Sequence, residues 1–138
     1  TRDSLRKLYN NNPQAIKVLS SINNALLPHR KNLGHRSLNE IAHYVLKYTE
    51  TLGGDGLSAA LDYQLCQKLV PKIMGADERV GQSIKGVIEV LLGRSVSEDD
   101  LLYKEILTHD DSYQITISKL IRMYRYFSAN GYVHFASV

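Results

Sequence analysis

Leu57-Ser58-Ala59-Ala60-Leu61-Asp62-Tyr63-Gln64-Leu65-Cys66-Gln67-Lys68-Leu69-Val70-Pro71 places a leucine at every fourth position, 57, 61, 65 and 69, and closes on a proline. Positions four apart lie on one side of an α-helix, so these leucines form a single apolar stripe. The stretch predicts a buried helix over Ser58–Val70. Pro71 ends it, because proline has no amide to donate and its ring clashes with the preceding turn.

The same period recurs on both sides. Arg2–Tyr9 reads as one or two amphipathic turns with Leu5 and Leu8 together, broken by Asn10-Asn11-Asn12. Asn12-Pro13 is a helix start, since asparagine caps and proline tolerates the first helical position. Ile16, Leu19, Ile22, Asn23 and Leu26 follow, and Pro28 opens a basic connection from His29 to Arg36. Ser37-Leu38-Asn39-Glu40 has the form of a capping box, with Leu38, Ile41, Val45 and Tyr48 tracing a face to about Thr49. Gly53-Gly54-Asp55-Gly56 reads as a flexible break.

Beyond Pro71, Asp77 is placed to cap a helix carrying Val80, Ile84, Val87, Ile88 and Leu91 and stopped by Gly93. The pattern weakens over Arg94–Tyr113, where Ser97-Glu98-Asp99-Asp100 offers a start and Leu101, Leu102 and Ile106 a faint apolar side. Ile117, Leu120, Ile121, Tyr124 and Phe127 mark a last helix, ended by Asn130-Gly131. Tyr132-Val133-His134-Phe135 alternates like a short strand, with no obvious pairing partner in the chain. The expectation is a mainly all-α bundle of about five or six helices. Residues 1–93 would form the bundle, and 94–138 an extension packed on the same domain.

Composition bounds the function. The 138 residues are 43% hydrophobic and 22% charged, enough apolar material for one core and too ordered in composition for wholesale disorder. A net charge of +3 and a pI near 9.0 are mild for a dedicated nucleic-acid binder. Cys66 is the one cysteine, which excludes an internal disulfide and a cysteine-based zinc site and fits a reducing cytoplasm. No apolar run approaches the roughly 18 residues of a spanning helix, so no membrane partner is expected. The start at Thr1 reads as the edge of a piece of something longer.

No catalytic residue and no metal ligand set is identified. Gly81-Gln82-Ser83-Ile84-Lys85-Gly86 lacks the Lys-Ser/Thr of a P-loop and falls within a helical stripe. His29, His35, His43, His109 and His134 are scattered without i, i+4 pairing. Cys66 reads as a small apolar residue beside the leucine stripe, and Asp99-Asp100 and Asp110-Asp111 as solvated pairs. One group stands out: Gly34-His35-Arg36-Ser37 at a helix mouth, where an arginine fork and a helix N-terminus together favour a phosphate. Gly34 would allow close backbone approach, and Arg30 and Lys31 add positive field. The plainer alternative for these residues is a solvated basic loop.

Three segments together resemble the C-terminal part of the McrB-like AAA+ NTPases, motor subunits of modification-dependent restriction systems. Leu19–Leu26 with Gly34–Ile41 is similar to that family's helix, basic loop and Gly-aromatic-Arg helix start. Leu61–Gly75 is similar to its "LD-Q-LQK-LPK-HG" signature, and Ser118–Tyr124 with Asn130–Phe135 to its terminal "KL-RM" helix and "GF-SF" strand. The chain departs from the pattern at His35, where the family has an aromatic residue, and at Ala76-Asp77-Glu78-Arg79, where it is more basic.

The resemblance implies an AAA+ lid without catalysis of its own, in which Arg36 senses nucleotide with Gly34, Arg30 and Lys31 in support. It implies ATP or GTP with Mg in the parent. The implied partners are the parent's own α/β core, a ring oligomer, and a nuclease subunit and DNA reached through that ring. Two alternatives rank below the lid. One is a helical protein-interaction scaffold, suggested by the tyrosines. The other is a winged-helix-like module in which Lys119, Arg122 and Arg125 of the last helix contact DNA phosphates.

Overall fold

A computed structural model describes residues 3–52 and 56–134, with the side chain of Leu52 excepted. The fold is an all-α helical bundle. Among the described residues the α-helices are α1 (Ser4–Asn11), α2 (Pro13–Leu26), α3 (His35–Leu52), α4 (Leu57–Lys68), α5 (Arg79–Leu92), α6 (Glu98–Tyr103) and α7 (Gln114–Asn130). Short 3₁₀ turns follow α2 at Leu27–His29 and α4 at Val70–Ile73. The predicted break at Gly53-Gly54-Asp55 lies outside the described residues, as does Phe135.

Packing neighbours close a circuit. α1 lies on α3, α3 on α4, α4 on α7, α7 on α5, α5 on α2, and α2 returns to α1, while α6 sits against α7. Inside run the predicted stripes: Leu19, Ile22 and Leu26 of α2, Ile41 and Val45 of α3, Leu61 and Leu65 of α4, Ile84, Val87 and Ile88 of α5. α4 is buried on more than its leucine side, since Ala60, Asp62 and Gln64 are buried as well. Of the segment after residue 93, the described residues, 94–134, pack on the same core. α7 is a link in the circuit, and its Ile117, Leu120 and Met123 share one core with the helices before residue 93.

Helix starts are held by polar side chains, though not all by those expected. Asn12, extended at φ −153°, accepts from the Ala15 amide as the sequence suggests, and it alone separates α1 from α2. Asp77 Oδ1 accepts from the Arg79 amide at 2.9 Å at the head of α5. Ser97 and Asp100 form a reciprocal capping box on α6. The box expected at Ser37 is not made. α3 begins two residues earlier, the Gly34 carbonyl accepts from the Leu38 amide, and Ser37 lies inside the helix. Glu40 then points along the helix surface, and Asn39 reaches across to accept from the Leu5 amide of α1.

The most buried of these caps joins two distant segments. Asp62 of α4 accepts from the Ile115 amide (Oδ2, 2.9 Å) and the Thr116 amide (Oδ1, 2.8 Å) at the start of α7. The Thr116 hydroxyl donates to the Asp62 carbonyl at 2.8 Å. Tyr113, left-handed at φ 61°, precedes α7 and supplies no side-chain cap of its own. A carboxylate at a helix N-terminus gains from both the orphan amides and the helix dipole.

The strand-like C-terminal residues do have a partner in the chain. Val133 pairs with Gly75 in an isolated antiparallel bridge, with N–O distances of 3.0 and 2.9 Å. Gly75 at φ 144° occupies backbone space that L side chains rarely adopt, which a glycine supplies without strain. The weakly patterned 104–113 segment is likewise tied down. The Arg94 guanidinium donates to the Ile106 carbonyl (2.9 Å) and to Asp111 (3.1 Å), and Arg125 donates to the carbonyls of Leu101 and Lys104.

Two predictions follow from these contacts. Asp62→Ala strands two amides at the head of α7 and should lower stability by about 3 kcal/mol in urea denaturation, with a smaller loss for Asp62→Asn. The hydrogen bond from Arg94, with the Thr108 amide behind it, holds the Asp111 carboxyl below its ordinary value. A depressed carboxylate stabilises the fold above its unfolded-state value and loses that contribution as pH falls through the folded one. NMR titration should place the Asp111 midpoint below that of a free aspartate, and Arg94→Ala should move it back up.

Candidate functional site

The connection from Arg30 to Gly34 is tied down by hydrogen bonds although it has no regular structure. Arg30, left-handed at φ 57°, closes the turn after α2 with its amide on the Leu27 carbonyl. Asn23 then imitates a backbone pair, donating to the Leu33 carbonyl (3.0 Å) and accepting from the Leu33 amide (2.8 Å), while the Leu33 side chain is buried. Lys31 Nζ donates to the Met74 carbonyl at 3.4 Å and Lys72 Nζ to the Asn32 carbonyl at 2.8 Å. The mouth of α3 is thereby fixed to the end of α4 and the turn after it.

At that mouth Arg36 has 93% of its side chain exposed. Its one hydrogen bond here is from Nε to Glu40 Oε1 at 3.3 Å, one turn along α3. Lys68 of α4 donates to the other Glu40 oxygen at 2.7 Å. Hydrogen bonding and attraction from Lys68, then Arg36, hold the Glu40 carboxyl below its ordinary value. Gly34 is exposed, and a Cβ placed on it would meet no atom of the described residues within 4 Å, its two chain neighbours apart. Packing among the described residues therefore gives no reason for glycine at position 34. Arg30 is exposed and Lys31 half-buried, so of the four expected residues Gly34 and Arg36 frame the opening while Lys31 braces it.

The alternative DNA-contacting set on α7 does not form an exposed row. Lys119 is buried at 9% exposure, Arg122 is exposed and donates to Ser118, and the Arg125 guanidinium is occupied by the Leu101 and Lys104 carbonyls. α7 packs against α4, α5 and α6. Cys66 is half-buried, and burial followed by the nearby Asp62 charge pushes its thiol up, away from a nucleophile's range. Among the described residues no three His, Cys, Asp or Glu side chains gather as metal ligands, and no helix is long and apolar enough to cross a membrane.

Two features escaped the sequence. Lys68 and Lys72 join the α3 mouth only through tertiary packing. A groove of about 800 Å³ also runs between α3 and α4, lined by Tyr44, Tyr48 and Tyr63 with His43, Lys47 and Gln67. Its rings stack in sequence, with centroids 6.2 Å apart for Tyr44–Tyr48 and 5.9 Å for Tyr44–Tyr63, and interplanar angles of 29° and 27°. The i, i+4 spacing of Tyr44 and Tyr48 was a legible signal for half of this wall.

The family model of a domain of unknown function, DUF8727, matches residues 2–132, nearly all of the chain. This chain belongs to the DUF8727 family. No curated protein and no solved structure matches it. The matched residues span every helix of the circuit, so the DUF8727 domain includes both the α3 mouth and the tyrosine groove.

Gly56 supports that groove. A Cβ there would stand 2.6 Å from Tyr48 Cε1, closer than real contacts allow, so the Tyr48 ring needs a glycine beside it. Gly56→Ala should turn Tyr48 out of the stack. Because the chain has no tryptophan, the near-ultraviolet circular dichroism reports its tyrosines, and that spectrum should change while the far-ultraviolet helical signal is kept.

Proposed function

We propose that this DUF8727 domain is the C-terminal helical lid of an AAA+ motor of the McrB-like type, covering nucleotide held by an α/β core and passing on hydrolysis-driven motion. The observation that carries the proposal is Arg36, exposed in the first turn of α3 on a braced loop, beside a glycine that packing does not require. A guanidinium and a helix N-terminus facing one opening favour a phosphate brought by a neighbouring domain. Arg30 and Lys31 strengthen the field around it.

A second feature supports a docked neighbour. Next to this mouth lies an apolar cleft of about 630 Å³ between α1 and α2, lined by Leu5, Tyr9, Ile16, Leu27 and Leu38. Tyr9 and Leu27 are 57% and 60% exposed on it. An apolar cleft beside a basic edge suits a core domain that covers the cleft and presents nucleotide to Arg36. The resemblance of Leu61–Gly75 to the McrB-like signature adds the family, and ATP or GTP with Mg would bind in the core. Ring assembly, a nuclease subunit and DNA belong to the same proposal through the parent.

In the intact motor, Arg36→Ala should slow hydrolysis by about tenfold or more, the range for losing one charged contact to a phosphoryl group. Gly34→Ala gives a sharper contrast: the domain's own stability should hold within about 0.5 kcal/mol, as for surface changes generally, while nucleotide response falls. Unchanged turnover in both variants would remove the α3 mouth from the nucleotide site. A coding sequence upstream of Thr1 that lacks a P-loop would overturn the motor itself.

A further inference from the structure

The α3–α4 groove has no part in the lid proposal and calls for its own occupant. Its floor is the stacked series Tyr48, Tyr44 and Tyr63, with Tyr63 45% exposed. Its polar groups are mainly donors: Lys47, Lys68 and the Gln67 amide, which already donates to the Tyr63 hydroxyl at 2.9 Å. The one carboxylate of its lining, Glu40, is neutralised by Lys68 on one oxygen and Arg36 on the other. A groove that offers aromatic rings and the exposed ammonium of Lys47, and whose one carboxylate is already paired with Lys68 and Arg36, complements a polyanion with planar groups.

We propose that this groove binds single-stranded nucleic acid, its bases stacking against the tyrosines and its phosphates facing Lys47 and Lys68. Stacking on aromatic side chains beside a cationic track is how strands are held without sequence preference. Length separates a strand from a free nucleotide. The lining runs along α3 from Glu40 to Thr51, about 16 Å at the helical rise. That exceeds one nucleotide at about 3.4 Å along a stacked strand. Charge separates it from a proline-rich peptide, which would stack on the same rings but has no use for the exposed ammonium of Lys47. Duplex DNA hides its base faces and gains nothing from the tyrosines.

The test uses the whole chain without nucleoside triphosphate, so that its outcome is independent of the lid proposal. Anisotropy of a labelled oligothymidylate of about 15 nucleotides, a length within the usual site sizes, should show saturable binding. The binding should weaken as salt rises from about 50 to about 200 mM, as phosphate contacts require. Tyr63→Ala should weaken it by about tenfold, the cost of one lost stacking partner, and Tyr63→Phe should retain it. Lys47→Ala, a change at an exposed position, should reduce both affinity and salt dependence. Thermal melts check that each variant folds. Absence of saturable binding would overturn the proposal. So would tighter binding to duplex of the same length, equal competition by a mononucleotide or a proline-rich peptide, or indifference to both Tyr63→Ala and Lys47→Ala.

Discussion

The fold turns on a buried carboxylate. Asp62 sits inside the bundle, on a helix packed between α3 and α7, and takes the first free amides of α7. Without it, α7 would begin at a left-handed tyrosine with its orphan donors facing apolar surroundings, which is costly to leave unmet. With it, a helix far along the sequence is fixed in register against α4. The circuit α1–α3–α4–α7–α5–α2 closes only when α7 is in place. The charge of Asp62 also reaches its neighbours. Burial, and then that charge, push both the Cys66 thiol and the Tyr113 hydroxyl up, so the surroundings of this cap favour neutral groups.

The same device recurs in weaker form. Asn39 of α3 caps α1, Asn23 of α2 pins Leu33, and Arg125 of α7 gathers carbonyls at the end of α6. Each is a side chain on one element satisfying backbone groups of another. Such contacts fix the placement of short elements that propensity would leave loose, as with the six residues of α6. They also explain which parts of the structure were legible beforehand. Apolar periodicity located the long helices, because stripes such as Leu61 and Leu65 or Ile84 and Ile88 are local patterns. Local caps were legible at Asn12 and Ser97 for the same reason, while Asp77 stands one residue before the α5 cap position, at Glu78, and accepts from the Arg79 amide.

What the sequence misplaced was tertiary. Ser37 and Glu40 have the spacing of a capping box, but the same Glu40 is also one turn beyond Arg36 and within reach of Lys68. Those two cations claim it, and the helix starts earlier on the Gly34 carbonyl. Val133 looked unpaired because its partner, Gly75, lies 58 residues earlier, on a turn with no strand pattern of its own. Asp62 stood in plain view within the leucine helix, yet no spacing rule reveals a partner more than 50 residues away. The candidate site divides in the same manner. Arg36 and Gly34 were legible as a helix mouth, whereas Lys68, Lys72 and the Tyr63 side of the groove came into place only through the packing of α3 on α4.

That packing makes one surface of two features. Glu40 lies between them, bonded to Arg36 at the mouth and to Lys68 at the groove, so the charge at one end depends on the other. An anion drawing Arg36 away from Glu40 would leave the carboxylate to Lys68 alone and tighten that pair. Lys68 would then have less positive charge to offer to anything in the groove. An anion drawing Lys68 away would leave Arg36 more firmly held by Glu40. Two ligands on this face would therefore compete through a shared carboxylate without touching, and the coupling would be the same in both directions because it is a difference of binding free energies. Since Arg36 is exposed and Glu40 and Lys68 are partly so, the coupling would be modest and would fade with salt.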